Sequence, residues 1–170
     1  MNKNLMVFWL SACFVFGLDR VTKVWAERTL ALGEKVPGIE GWYEWSLYYN
    51  PGAAGGIFSG HVEFLITVSA LAVFSLVWFM KKGEHDSNAW LQIGLGLMLG
   101  GALGNLFDRV FYHHVIDFIN PIGESYIFNI ADKGIRWGLY LGLVGLWLSR
   151  RNLKRAAKKQ VSSSERTLEQ

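Results

Sequence analysis

Four apolar segments alternate with polar stretches along the chain, at about residues 5–25, 64–80, 90–107 and 134–149. A helix rises about 1.5 Å per residue, so residues 64–80, which are almost free of polar side chains, would extend roughly 25 Å, close to the thickness of a bilayer core. The pattern predicts an all-α polytopic membrane protein with four transmembrane helices, in a single domain of residues 1–160.

The polar stretch after the first segment has the pattern of a small sheet. Residues 42–49 are rich in aromatic side chains and partly alternate, as a strand does, and residues 50–58 form a turn-rich loop of small residues. We therefore expect a small β-sheet at the membrane surface. Residues 111–134 are predicted to be a second outward loop.

The glycines of the last two apolar segments predict close helix packing. Gly96, Gly100 and Gly104 follow one another at intervals of four residues, and the fourth segment carries glycines at similar spacing. Such small-residue stripes let the backbones of membrane helices approach each other closely.

Composition and charge agree with a membrane protein and indicate its orientation. The chain is 51% hydrophobic and 18% charged, with a mean hydropathy of +0.21, which is too apolar for an ordinary soluble domain of 170 residues. The single Cys13 excludes an internal disulfide. After the last apolar segment comes a basic run: Arg150, Arg151, Lys154, Arg155, Lys158 and Lys159. This run predicts cytoplasmic termini and contact with anionic membrane lipids, and residues 161–170 are predicted to be a disordered tail. No aromatic or glycine pattern of nucleic-acid binding accompanies it, so we expect no nucleic-acid partner.

Two aspartates stand among apolar residues at the edge of the predicted membrane segments, Asp117 within residues 115–119 and Asp132 within residues 128–132. A carboxylate in such surroundings is costly, and two in one poorly solvated site would share a proton. That is the chemistry of an aspartic protease. The residues alone leave open that the two aspartates have separate capping or surface roles, or that they serve proton or ion transport.

Other polar residues fall on the same predicted side of the membrane. They are Asp19 and Lys23, Asn50 and Gly52, Asn105 and Arg109, and Asn129. Simple structural roles are open for them as well: an interfacial salt bridge, a turn, and an anchor in the headgroup layer. The adjacent His113 and His114 would point in different directions, and neither an H-E-x-x-H nor a G-x-S-x-G motif occurs, so we expect no metal site.

Five motifs, taken together and in this order, resemble those of the bacterial lipoprotein signal peptidase family, also called signal peptidase II. They are Asp19-Arg20-Val21-Thr22-Lys23, Asn50-Pro51-Gly52-Ala53-Ala54, Gly100-Gly101-Ala102-Leu103-Gly104-Asn105-Leu106-Phe107-Asp108-Arg109, Val115-Ile116-Asp117-Phe118 and Phe128-Asn129-Ile130-Ala131-Asp132. The resemblance runs from the first apolar segment to the fourth.

The resemblance implies an aspartyl endopeptidase of the bacterial inner membrane with its active site at the outer face. It also implies four transmembrane helices and a small extracytoplasmic β-sheet that forms a cradle for the substrate. Such enzymes cut diacylglyceryl-modified prolipoproteins just before the lipidated cysteine, use neither metal nor cofactor, and are inhibited by globomycin. By the same resemblance Asp117 and Asp132 are the catalytic dyad. The residues implied to bind substrate or support the site are Asp19, Lys23, Asn50, Gly52, Gly104, Asn105, Arg109, Asn129 and Ala131. We expect a monomer.

Two positions depart from the family pattern. Gly55 stands where the family usually has Phe, and Lys133-Gly134 where small residues usually follow the second aspartate. Both departures leave the two aspartates in place, so we expect them to affect substrate preference and rate and not the type of reaction. Two other functions stay open: an inactive relative that binds lipidated signal peptides without cutting them, and a small cation- or proton-conducting membrane protein. The scarcity of polar residues in the second segment argues against conduction.

Overall fold

A computed structural model describes residues 3–53, 56–82 and 88–168, with the side chains of residues 156–168 left out. The helices are α1, Lys3–Thr29; α2, Val62–Lys81; α3, Ala89–Tyr112; and α4, Ile130–Leu168. The strands are β1, Val36–Ile39; β2, Tyr43–Asn50; and β3, Val115–Pro121. The protein is thus mostly helical with one small sheet, as the sequence predicts.

Three helices in the described part of the chain, α1, α2 and α3, are long and apolar enough to cross a membrane. The apolar part of α4 is shorter and is flanked by charges. Lys133 and Arg136 lie at its start, and the basic run lies at its end, so any stretch of 18 residues that covers the apolar part includes some of these charged side chains. The fourth span therefore stays a prediction.

Helix α4 is much longer than the apolar segment that it contains. It begins one turn before the predicted span and continues to Leu168, so its backbone is helical through most of the segment 161–170 for which disorder is predicted. No glycine or proline occurs between residues 146 and 168, and the helix formers Leu, Ala, Lys, Arg and Glu are frequent there. Residues 169–170 lie outside the described part.

Helix α3 packs between α1 and α4 through its glycines. A Cβ atom added to Gly96 or Gly100 would meet the carbonyl oxygen of Phe8 or Ala12 on α1, and Gly94 lies in the same way against α4. The predicted close packing of this helix is confirmed, and the glycine contacts fix how far each helix is shifted along its neighbour.

We expect Gly100→Ala to lower the free energy of unfolding by about 1–3 kcal/mol, because the added methyl group would meet backbone that cannot move aside easily. The matched control is Gly17→Ala on α1, where no atom lies within 4 Å of the added Cβ. This control should be neutral or stabilising by up to about 1 kcal/mol. Thermal unfolding in detergent measures both, and equal effects of the two variants would contradict the packing.

The sheet joins two distant parts of the chain. Its strand order is β1-β2-β3 and both pairings are antiparallel, with Tyr48 opposite Asp117 and Asn50 opposite Val115. The predicted outward loop 111–134 therefore contains a strand that the sequence analysis did not predict. A further bridge between Ile119 and Phe128 holds the segment that leads into α4 against β3. The location of the sheet relative to the membrane stays a prediction.

Candidate active site

Asp117 lies in the middle of β3 and is almost completely buried, with 1% of its surface exposed. Its Oδ1 accepts a hydrogen bond from Asn129 Nδ2 at 2.6 Å, and its Oδ2 accepts one from Asn50 Nδ2 at 3.0 Å. His113, in the left-handed conformation, ends α3 two residues before β3 begins. This turn brings the strand back beside the end of α3.

Asp132 lies in the first turn of α4 and forms a reciprocal pair with Asn129. The Asp132 carboxylate accepts from the Asn129 backbone N–H at 3.3 Å, and Asn129 Oδ1 accepts from the Asp132 N–H at 3.0 Å. This is the geometry of a capping box, so the capping role left open for Asp132 is present in the structure. The carboxylate also accepts from Asn105 Nδ2 at 2.8 Å, which ties it to α3.

Both aspartates line one cavity of about 600 Å³. Asn50, Asn105 and Arg109 share the polar side of this cavity with them, and the other lining residues are Ala53, Val115, Ser125, Tyr126, Ile127, Phe128, Ile135, Arg136 and Leu139. Asn129 hydrogen-bonds to both aspartates. Two carboxylates separated by 14 residues in the sequence therefore meet in one place, with an apolar wall beside them.

A buried cluster of four charged side chains lies behind the cavity. Lys23 Nζ lies 2.9 Å from Asp19 Oδ2 and 2.7 Å from Asp108 Oδ2. Arg20 pairs with the same two carboxylates, at 3.1 Å from Asp19 and 2.6 Å from Asp108. Both aspartates are fully buried, and the cluster as a whole is neutral. We call Asp19, Arg20, Lys23 and Asp108 the charged quartet.

The charged quartet holds the backbone just before each cavity aspartate. The N–H of Ile116, which precedes Asp117, donates to Asp108 at 3.2 Å. The N–H of Ala131, which precedes Asp132, donates to Asp19 at 2.9 Å. Lys23 also donates to Asn105 Oδ1 at 3.2 Å, and Asn105 in turn holds Asp132. The quartet thus fixes the positions of both aspartates through α1 and α3.

The loop after β2 closes one side of the cavity. Asn50 Oδ1 accepts from the Gly52 N–H at 3.0 Å, which makes a tight turn, and Arg109 Nη2 donates to the Gly52 carbonyl at 3.1 Å. A Cβ on Gly52 would lie 2.7 Å from the Ile57 carbonyl oxygen, so only glycine fits there. In the described part of the chain the buried Arg109 Nε has no hydrogen-bond acceptor.

Gly104 and Ala131 are small because the helices cross closely beside the quartet. A Cβ on Gly104 would lie 2.5 Å from Asp19 Oδ2 and 3.2 Å from the Ala131 side chain. The structure therefore brings the residues that the family resemblance implies for the site either into the cavity wall or directly behind it.

No role is predicted from the sequence for Arg20 and Asp108, although both stand in the quoted motifs. Both are charged residues within helices that are apolar enough to cross a membrane, where isolated charges are costly, and this is the signal that marks them. Of the two departures from the family pattern, Lys133 lies over the Phe128 ring at 3.9 Å from its centre, and Gly55 lies outside the described residues.

Burial, with the charge of Asp132 as a second cause, raises the pKa of the Asp117 carboxyl from 3.8 to about 7. The hydrogen bonds from Asn50 and Asn129 and the charge of Lys23 favour the ionised form, and they reduce the rise of this pKa without cancelling it. Asp117 is therefore the cavity aspartate that keeps a proton close to neutral pH.

This pKa predicts a pH-dependent stability. Between pH 3.8 and about 7 the folded protein holds a proton on Asp117 that the unfolded chain releases, so stability falls as the pH rises through this window. A pKa rise of this size corresponds to a loss of folding free energy on the order of 4 kcal/mol across the window. Asp117→Asn removes this pH effect. The difference in melting temperature, variant minus unmodified protein, should therefore be larger at pH 8 than at pH 4. A constant difference across this range would contradict the prediction, and Glu124→Gln on the surface is the control.

Comparison with known proteins identifies the family. The family profile of signal peptidase (SPase) II matches residues 11–148. The chain belongs to the signal peptidase II family. Family membership makes it a peptidase of a bacterial membrane, and the family predicted from the five sequence motifs is confirmed.

Relatives and solved structures of similar extent agree with this membership. A lipoprotein signal peptidase of Shouchella clausii is 35% identical over 150 residues, which are 88% of this chain and 99% of the relative. One of Gloeobacter violaceus is 40% identical over 139 residues, 81% of this chain and 80% of the relative. A bacterial membrane enzyme solved by the in meso method at 2.3 Å resolution superposes with a TM-score of 0.77 at 31% identity, over 89% of this chain and 92% of that one. This peptidase is therefore similar in sequence to the two lipoprotein signal peptidases and similar in fold to that membrane enzyme.

Proposed function

We propose that the protein is an aspartyl endopeptidase that removes signal peptides from diacylglyceryl-modified prolipoproteins by cutting just before the lipidated cysteine. The observation that carries the aspartyl mechanism is the single cavity lined by Asp117 and Asp132, with Asn129 hydrogen-bonded to both. The relatives named lipoprotein signal peptidase support the substrate class.

In the proposed reaction Asp132 is the base and Asp117 is the acid. Asp132 takes a proton from a water molecule as the water oxygen attacks the scissile carbonyl carbon. Asp117, with its raised pKa, gives its proton to the carbonyl oxygen and so stabilises the tetrahedral intermediate. The intermediate collapses when the carbon–nitrogen bond breaks and the proton held by Asp132 passes to the leaving nitrogen. One hydroxyl group of the intermediate returns a proton to Asp117 as the new carboxyl group forms, so both aspartates regain their starting states.

The cavity wall suits an extended peptide. The loop at Gly52 offers backbone groups with little side-chain bulk, and the Arg109 guanidinium beside it lines the cavity, where it can donate to a substrate carbonyl oxygen. The apolar side of the cavity is formed by Ile127, Phe128, Ile135 and Leu139. It can bind the small apolar residues of a signal peptide. Because the lipid would hold the substrate at the membrane, the protein needs only to align one short segment.

We also propose a topology with four spans, both termini in the cytoplasm and the active site at the outer face of the bacterial inner membrane. One face of α4 supports the fourth span: Trp137, Tyr140, Leu143 and Trp147 are all more than half exposed, as side chains in contact with lipid would be. The basic run that follows them supports the cytoplasmic end.

The test of the proposed function compares two forms of one prolipoprotein, with and without the diacylglyceryl group, in a gel-shift assay with the purified protein in detergent. We expect cleavage of the lipidated form alone and inhibition by globomycin. Equal cleavage of both forms would contradict the proposed substrate class. Binding of the lipidated form without cleavage, by protein shown to be folded, would point instead to an inactive relative.

A further inference from the structure

Four cations occupy one exposed face of α4 just beyond its apolar part. Arg150, Arg151, Lys154 and Arg155 line a cleft of about 440 Å³ together with Trp147. The Arg151 guanidinium lies over the Trp147 ring, 5.3 Å from its centre. The spacing of these residues, from i to i+8, places them on one side of the helix.

In the part of the chain that the structure describes, no carboxylate pairs with the cations of this cleft. No carboxylate residue occurs in α4 between Asp132 and Glu165. An exposed group of four cations with no internal partner is a binding surface for an anion.

The opposite face of α4 packs against the start of α3, so the cleft lies on the outer side of the helix. Gly145 packs against the start of α3, and Asn88 donates from its side chain to the Gly145 carbonyl at 2.8 Å and to Ser149 Oγ at 3.3 Å. Trp147 and the cations therefore point away from the helix bundle.

The surface next to the cleft is apolar and exposed along the same side of the helix. Tyr140, Leu143 and Trp147 are 52%, 55% and 58% exposed. In the proposed topology membrane lipid covers this strip, so the cations lie where the headgroup of a lipid bound to the strip would be. A diacyl lipid matches both parts, because its headgroup phosphate reaches the cations while its acyl chains cover the strip. We infer that this face of α4 binds an anionic phospholipid, with the headgroup in the cleft at Trp147.

The test is a lipid titration followed by native mass spectrometry of the full-length protein in a neutral detergent. The probes are dioleoylphosphatidylglycerol, dioleoylphosphatidylcholine and inorganic phosphate. We expect tighter binding of the anionic lipid than of phosphatidylcholine, and a loss of this preference at high salt. Equal binding of the two lipids would overturn the proposal, and so would inorganic phosphate that displaces the anionic lipid at comparable concentration.

Variants separate this face from the others. Replacement of all four cations, Arg150→Gln, Arg151→Gln, Lys154→Gln and Arg155→Gln, should weaken binding of the anionic lipid by at least about tenfold. The matched control is the double variant Lys81→Gln with Lys82→Gln at the end of α2. Lys82 Nζ lies over the Trp78 ring, 4.1 Å from its centre, which is the same kind of cation–π contact as that of Arg151 with Trp147. The control should keep the preference.

If the fourfold variant does not fold, the pairs Arg150/Arg151 and Lys154/Arg155 are replaced separately, each against the α2 control. Prolipoprotein cleavage in detergent should be unchanged in the variants, because the cleft lies far along α4 from Asp132. An anionic-lipid preference that survives in all α4 variants, or that is lost equally in the α2 control, would overturn the proposal.

Discussion

Asp117→Asn and Asp132→Asn are each expected to lower the rate of prolipoprotein cleavage by roughly 10³-fold or more, since each removes one of the two proton transfers that the reaction needs. Asparagine has the shape of aspartate but only one acceptor oxygen, so at position 132 it can accept from Asn105 or from the Asn129 backbone N–H and not from both. Thermal unfolding of each variant in detergent therefore accompanies the rate measurement, and the loss of rate is read from protein that is folded. Initial rates with a lipidated substrate measure it.

Glu124→Gln is the matched control for these two variants, because it removes an exposed carboxylate from the segment between β3 and α4. It should leave the cleavage rate within about twofold of the unmodified protein, as surface substitutions away from a site usually do. Retained activity in a folded Asp117→Asn or Asp132→Asn protein would remove that residue from the proposed dyad.

Lys23→Met is expected to lower the free energy of unfolding by about 3–5 kcal/mol, because it leaves Asp19 and Asp108 buried with Arg20 as their only close cation in the quartet. It also removes the hydrogen bond to Asn105. Denaturant or thermal unfolding in detergent measures the loss. The double variant Lys23→Met with Asp108→Asn restores neutrality, so it should be less destabilised than the sum of the single variants.

A surface lysine provides the control for this effect. Lys35 pairs with Glu44 at 3.4 Å, and 64% of its side chain is exposed. Lys35→Met should cost less than about 1 kcal/mol, as exposed ion pairs usually do. A similar cost for Lys23→Met and Lys35→Met would mean that the quartet is not held in a buried, low-dielectric environment.

The apolar segments predict α1, α2 and α3 well, because hydrophobic length is a strong signal for helices of this kind. The third strand was missed since residues 115–119 form a short apolar run, which periodicity alone cannot assign to strand or helix. Helix α4 continues to Leu168, and the disorder that the polar composition of residues 161–170 predicts stays a prediction. Local helix propensity acts in the other direction there.

In the candidate site, contacts within one helix can be predicted from the sequence, whereas contacts between helices cannot. The Asp19–Lys23 pair follows from helical spacing alone, and the structure contains it at 2.9 Å. Its second partner, Asp108, is 85 residues away from Lys23 in the sequence. That contact depends on how α1 and α3 are shifted along each other, which the glycine contacts decide. No pattern within a single helix contains this information.

The central claim, that Asp117 and Asp132 act as one proton-sharing pair, is tested most directly by the pH dependence of kcat/KM with a lipidated prolipoprotein. The account predicts a bell-shaped profile whose alkaline limb falls at about pH 7, where Asp117 loses its proton. A rate that keeps rising through about pH 9 with a single ionisation would contradict it, since an ionised Asp117 has no proton to give to the scissile carbonyl oxygen.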